Sequence, residues 1–378
     1  MSKSHSGKPS FWQQAIVFVL SLVIGAACGY FIARYAADSG MSILTVLALT
    51  LVSLYVAQFV QTLVHEAGHL VFGLLTGYGF CSFRIGSFIL LRREGRLVFK
   101  RLSLAGTGGQ CLLTPPEWAD GKADSFPFVL YNLGGVLMNL IFSALCLLLA
   151  LALHGFPWAV HVLRVFALLG VALALINGVP LRTGLVDNDG RNVLSIRQSP
   201  DALRAFWVQL KINEANAQGI RLKDMPSEWF ALPAEADRSN SFISTLDVLA
   251  CNRLIDAQDF DAARIHIDAL VDGAHPLLGL HRRLLLVDRL YLELTGERSA
   301  AVIDALYTPE QRKFMKSMRH FPSILRTHYA LALLYERDFQ KADAFLAQFE
   351  ACAATYPYPN EIEGERELIA HVKSLSAA

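Results

Sequence analysis

Two stretches without a formal charge constrain this 378-residue chain more than anything else in it. Met41–Val64 runs for 24 residues, and Ser125–Leu163 for 39, without one Asp, Glu, Lys or Arg. At about 1.5 Å per residue, roughly 20 apolar residues in a helix cross a ~30 Å hydrocarbon layer. His154-Gly155-Phe156-Pro157 interrupts the longer stretch and divides it into spans near Phe126–Leu153 and Trp158–Asn177. The shorter one continues to about Thr76, where Gly77-Tyr78-Gly79 stops it. Ala15–Ala33 adds a further uncharged run. It is long for a secretory signal, and Gly25-Ala26-Ala27-Cys28 is a poor lipoprotein cleavage site, so a retained helix is expected. The fold class expected is an all-α polytopic membrane protein with about four transmembrane helices.

The charges are unevenly placed. Residues 1–180 hold six of the 33 acidic side chains, and the other 27 follow. A membrane half joined to a soluble half accounts for this, and a net charge of +1 argues against nucleic acid as a partner. Six scattered cysteines with no CxxC spacing suggest neither a disulfide framework nor a cysteine metal site. With the N-terminus inside, Lys3, Lys8, seven basic residues in 77–125, and Arg182, Arg191 and Arg197 are cytoplasmic, against Arg34 and Arg164 outside. The positive-inside rule therefore expects a multi-pass cell-membrane protein with both termini cytoplasmic. His154 and His161, around the outer turn, are expected to be interfacial.

Within the first uncharged helix stands Val64-His65-Glu66-Ala67-Gly68-His69-Leu70. Residues four apart share a helical face, so His65 and His69 can present two imidazoles to one metal ion. Glu66 lies beside them, where a carboxylate can act as a base toward water. Ionisable groups inside a membrane helix are costly and point to function. His65 lies 24 residues, about 36 Å, from an outer start at Met41, which places the site near the inner membrane face. Beyond it, Phe80–Leu102 alternates around Arg93-Glu94-Gly95-Arg96, a β-hairpin with a basic tip. Leu104–Pro116, rich in small residues and ending in Pro-Pro, is expected as an irregular loop dipping into the membrane.

Catalytic zinc usually has three protein ligands. The third is expected just past the last span, where Asn177-Gly178-Val179-Pro180 breaks the helix and Asp187-Asn188-Asp189-Gly190 follows. Either Asp187 or Asp189 can serve. In a regular strand both point the same way, so a left-handed turn at Asn188 is needed to send one of them elsewhere.

Three motifs in this order resemble the site-2 protease family of intramembrane zinc metalloproteases, over roughly residues 41–195. They are His65-Glu66-Ala67-Gly68-His69, Gly134-Gly135-Val136-Leu137-Met138-Asn139, and Asn177-x-x-Pro180 leading to Asp189-Gly190. The commonest family form places its aspartate eight residues after the asparagine; here position 185 is leucine, and Asp189 comes twelve after Asn177. The resemblance implies zinc held by His65, His69 and Asp189, with Glu66 as base. It also implies that Asn139 holds substrate or water and that the 80–102 hairpin is a substrate-pairing edge.

The chain divides by these signals into an N-terminal helix (1–40), a catalytic membrane core (41–198), a linker (199–240) and a helical domain (241–378). In the last, Leu254–Ala263 recurs as Leu333–Ala342, with a weaker copy at Glu293–Ala301. The pattern resembles tetratricopeptide-type repeats, which present a groove to a protein or peptide partner. Its histidines, His275 among them, have no ligand spacing. The function expected is intramembrane zinc endopeptidase, with a transmembrane protein as substrate. The alternative is a catalytically silent membrane scaffold whose helical domain binds a client.

Overall fold

A computed structural model describes residues 11–102, 108–118, 126–183, 186–273 and 277–377. Met1–Ser10, the 103–107 part of the expected loop and His275 lie outside the described residues. The chain is mostly helical and carries a small antiparallel sheet. Among the described residues, three helices are long and apolar enough to cross a membrane: α2 (Ile43–Leu75), α3 (Phe128–Ala152) and α4 (Pro157–Gly178). Helix α1 (Phe11–Ser39) precedes them and packs on α4 and α2.

The inside of this bundle is more polar than its outside. On α2 the buried positions recur every three or four residues and include Thr50, Ser53, Gln61, His65 and His69. The opposite face exposes Leu51, Val52 and Tyr55, the last at 83%. A helix that turns its polar groups inward and its leucines outward suits lipid and not water. Small residues let the helices approach. Gly68 of α2 lies so close to Gly134 of α3 that a Cβ on either would collide with the other's backbone.

Between α2 and α3 the chain makes four strands: β1 (Gly79–Ile85), β2 (Phe88–Arg93), β3 (Arg96–Arg101) and β4 (Gly109–Thr114), ordered β3-β2-β1-β4 and all antiparallel. The hairpin expected over 80–102 is part of this sheet. Its β2–β3 turn is Glu94-Gly95, both at positive φ (48° and 75°), the backbone that a two-residue turn between twisted strands demands. The loop expected over Leu104–Pro116 is corrected in part, since β4 occupies its second half. The short segment Gln110–Thr114 carries no alternation, and it is pairing with β1 along one side that makes it a strand. One face of the sheet, with Ile89 and Leu91, is buried against the C-terminal helices; the other exposes Phe88, Leu97 and Phe99.

After α4, two short strands, β5 (Arg182–Thr183) and β6 (Val186–Asp187), lead into α5 (Asp189–Ile196). The stretch 199–240, expected as a linker, contains α6 (Pro200–Ala217), which packs on β4, β1 and α5. Phe206 meets Tyr131 of α3, and Trp207 Nε1 donates to Pro116 O at 2.9 Å. The helical half follows as α7 (Ser241–Asp256), α8 (Phe260–Asp272), α9 (Gly279–Thr295), α10 (Ala300–Leu306), α11 (Pro309–Ser317), α12 (Pro322–Ala330), α13 (Phe339–Thr355) and α14 (Pro359–Ala377). The three related sequence segments share one turn. Gln258, Arg298 and Arg337 all take φ of 57–58°, each just before the next helix begins.

Candidate functional site

The three motifs, far apart in the chain, meet around one point. His65 Nε2 and His69 Nε2 are 3.2 Å apart, and Asp189 Oδ2 lies 3.1 Å from the first and 3.7 Å from the second. Among the described residues, this is the one group of three His, Cys, Asp or Glu side chains whose ligand atoms lie within 4.8 Å of one another. Both histidines are buried, and Gly135 of α3 makes room for the His65 ring, with which a Cβ would collide.

The hydrogen bonds behind the rings decide which nitrogens face the centre. Gln61 Nε2 donates to Phe166 O at 2.8 Å, which leaves Gln61 Oε1 to accept from Asn139 Nδ2 at 2.7 Å. Asn139 Nδ2 also donates to Gln61 O, an acceptor only, so the orientation of the Asn139 amide is fixed twice. Asn139 Oδ1 is then the partner of His65 Nδ1 at 2.7 Å, and that nitrogen must carry the proton. His69 Nδ1 likewise faces a carbonyl, Tyr131 O, at 2.8 Å. Each neutral imidazole therefore turns a lone pair inward from Nε2. Asp189 Oδ2 is buried and has no hydrogen-bond partner. Two imidazole lone pairs and a carboxylate oxygen converging without a donor among them could hold a metal cation, and these residues fit one.

The backbone around Asp189 is shaped for this approach. Asn188 caps α5: its Oδ1 accepts from Arg191 N at 2.9 Å and from Leu181 N at 3.1 Å, while its Nδ2 donates to Ile176 O and Val179 O. One amide thus joins the broken end of α4 to the start of α5. The left-handed turn expected at Asn188 is corrected to an extended N-cap, φ −85° and ψ 172°, because its side chain serves the helix end and no reversal is needed. Gly190 lies against Gly178 O so closely that a Cβ there would clash, which lets the chain bring Asp189 down to the histidines. Asp187 is in β6, paired with Arg182, outside the converging group.

Glu66 is buried and lines the same cleft of about 690 Å³ as His65, His69 and Asp189. β4 forms one wall of it through Gly109, Gln110, Cys111 and Leu112, and a Cβ on Gly109 would strike the Glu66 carboxylate. Arg84, only 1% exposed on β1, donates to Gly86 O at 2.7 Å and Gly109 O at 3.1 Å, holding the start of β4 beside that carboxylate. Burial draws the Arg84 pKa down, and the negative charge of Glu66 opposes this.

Asn139, expected toward substrate or water, is fully buried, and its side chain bonds His65 and Gln61. Its place is behind the His65 ring. Gln61, Tyr131, Asn188 and Arg84 were not read from the sequence as site residues. Gln61 had one available signal: it stands four before His65, on the same face. His161, expected at the interface, is instead buried, its Nε2 2.8 Å from Thr50 Oγ1 and its ring stacked on Tyr35 at 4.3 Å. His154 is exposed. No protein-family model, curated protein or solved structure matches this chain, so its function is argued from its own geometry.

Proposed function

We propose that this chain is an intramembrane zinc endopeptidase of the site-2 protease type, with α1 as a fourth membrane span and both termini cytoplasmic. The observation that carries the reading is the convergence of His65 Nε2, His69 Nε2 and Asp189 Oδ2 beside Glu66, inside helices whose outer faces are apolar. His65, His69 and Asp189 would hold the ion. A bound zinc ion would supply Lewis-acid chemistry, polarising a carbonyl and making water more acidic.

The remaining work falls to the protein. The Glu66 carboxylate, in the wall of the cleft, takes a proton from water and returns it to the departing amine. Gln61 and Asn139 hold His65 in the tautomer that leaves Nε2 free, a positioning role. β4 is the sheet edge that borders the cleft, so an extended substrate segment pairs there, and not along the β2–β3 hairpin. The helices around the cleft limit the access of water. The substrate class is a transmembrane or membrane-anchored protein whose helix unwinds to reach the site. The helical half, with its repeated turns, is a tetratricopeptide-like cytoplasmic domain.

Comparing the membrane proteomes of cells with wild-type protein and Glu66→Gln tests this. A transmembrane protein that accumulates uncut in the variant is the expected result. Identical proteomes, with the cellular phenotype unchanged, would establish the silent-scaffold reading instead.

A further inference from the structure

A second cavity of about 320 Å³ lies inside the helical half, walled by α6, α7, α9, α12 and α14. It abuts the cleft over His65 and Glu66, and Asn213, Thr245, Leu249 and His281 line both. Its charged walls are Asp256, Asp288, Glu361 and Glu365 against Arg221 and Arg326. Both guanidinium groups are engaged: Arg221 with Asp256 and Glu367, Arg326 with Asp288 and Glu365. The Glu361 carboxylate accepts from Asn216 Nδ2 and Tyr356 OH, two neutral donors. The walls therefore carry an excess of negative charge.

We propose that this cavity receives the cytoplasmic flank of the substrate, an extended polypeptide segment bearing Lys or Arg that continues from the cleft past Leu249 and His281. The proposal rests on the endopeptidase reading above. Two observations select this occupant over a free cation or an apolar ligand. The cavity adjoins the cleft, so a chain spanning the site has somewhere to go. Membrane proteins concentrate Lys and Arg on their cytoplasmic flanks, which matches acidic walls. Burial supports the charge argument: it pushes the Glu365 carboxyl up to about 7 and raises Glu361 and Asp288 as well, a strain that a cationic side chain relieves. His281, at the junction, is drawn down to about 4 by burial, so at neutral pH it does not repel a basic chain.

The test is peptide binding to the full-length protein in a neutral detergent, in a Glu66→Gln background so that no probe is cut. Fluorescein-labelled dodecapeptides alternating Ser with Lys, Gln or Glu are the probes, read by fluorescence anisotropy. The Lys peptide is expected to bind about tenfold tighter than the Gln peptide, and the Glu peptide weakest. Glu361→Gln with Glu365→Gln should cost roughly tenfold for the Lys peptide alone. Asn252→Trp, which fills the cavity from α7 and leaves every carboxylate in the sequence, should weaken it comparably. A Lys peptide that binds no better than the Gln peptide overturns the proposal, as does unchanged binding in both variants. Binding here does not depend on turnover, whereas the Glu66→Gln proteome does, so the two readings fail separately.

Discussion

In α2, α3 and α4 the leucines face outward and the polar side chains meet inside, whereas in α7–α14 the leucines form the core and most charges face water. Both regions nevertheless bury polar groups, and they satisfy them differently. In the helical half, Arg326 is 1% exposed and is closed by Asp288, Glu365 and the face of Tyr291, opposite charges already in place. By contrast, His65 and His69 of the apolar helix α2, with Asp189 of α5, bring three acceptors together with no internal donor. A buried ion-pair network that supplies both charges from within can stand as architecture, even where Arg326 Nε and Glu365 Oε2 lack hydrogen-bond partners. One that ends on unshared lone pairs needs something from outside.

The largest expected effect breaks the open-ended cluster. His65→Ala, His69→Ala and Asp189→Asn should each lower bound zinc from about one ion per chain to nearly none and abolish cleavage, because two ligands hold the ion poorly. Metal analysis of purified protein checks this. Zinc retained at full stoichiometry in the double histidine variant would show that the cluster is not the metal site.

Breaking the closed network should do the reverse, harming stability and sparing metal. Arg326→Met leaves Asp288 and Glu365 buried without their cation, a loss of about 3–5 kcal/mol. Thermal or denaturant unfolding should register it, while zinc content at the His65, His69 and Asp189 cluster stays near wild type.

Smaller effects should come from the residues that hold His65. Gln61→Leu and Asn139→Leu remove the bonds that fix its tautomer, and partners of this kind are worth roughly 10–100-fold in metal affinity or activity. Competition with a zinc-binding dye measures the change, with expression and helicity retained. An Asn139 acting only as structural glue would lower stability and leave zinc affinity alone.

The two networks also differ in how pH acts on them. Burial raises Glu365 from its ordinary value of 4.5 to about 7. The folded state thus holds this proton more tightly than the unfolded state, so the stability it contributes is fully present below pH 4.5 and is lost as the pH rises through about 7. Glu365→Gln removes that slope. Its melting temperature should match wild type near pH 4.5 and exceed it near pH 8, with Asp288 still paired to Arg326. Parallel pH profiles for the two proteins would contradict this.

What was legible in the sequence follows from how local each signal is. His65, Glu66 and His69 fall within one helical turn, and their spacing alone puts them together. Composition alone marked out the three long apolar helices. Asp189 was confined to a four-residue window by the break after Asn177, but its choice over Asp187 depends on a cap at Asn188 that spans twelve residues back to Ile176. β4 was hidden because flanking glycines and prolines read as loop; what makes it a strand is β1, some thirty residues earlier. The docking of α6 was hidden likewise, since Phe206 and Trp207 find their partners on α3 and at Pro116.

The smallest effect belongs to Asp187, and it sharpens the comparison at the resolution of a single residue. Asp187 and Asp189 have the same chemistry, lie two residues apart and line the same cleft. In a continuous strand they would face one way, and either could serve. The chain instead changes structure between them: Asp187 ends β6 opposite Arg182, Asn188 caps, and Asp189 opens α5. That change rotates Asp189 alone onto the two Nε2 atoms, and Gly190, pressed against Gly178 O, fixes how close it comes. Asp187→Asn keeps the side-chain shape and removes a charge near the centre without removing a ligand. It should retain one zinc per chain and change cleavage by no more than roughly twofold to fivefold, the size of a neighbouring-charge effect screened by a wet cleft. Asp189→Asn, the isosteric change two residues on, should lose both. A matched assay in which Asp187→Asn loses zinc and Asp189→Asn keeps it would move the third ligand, and with it the reason for the break between β6 and α5.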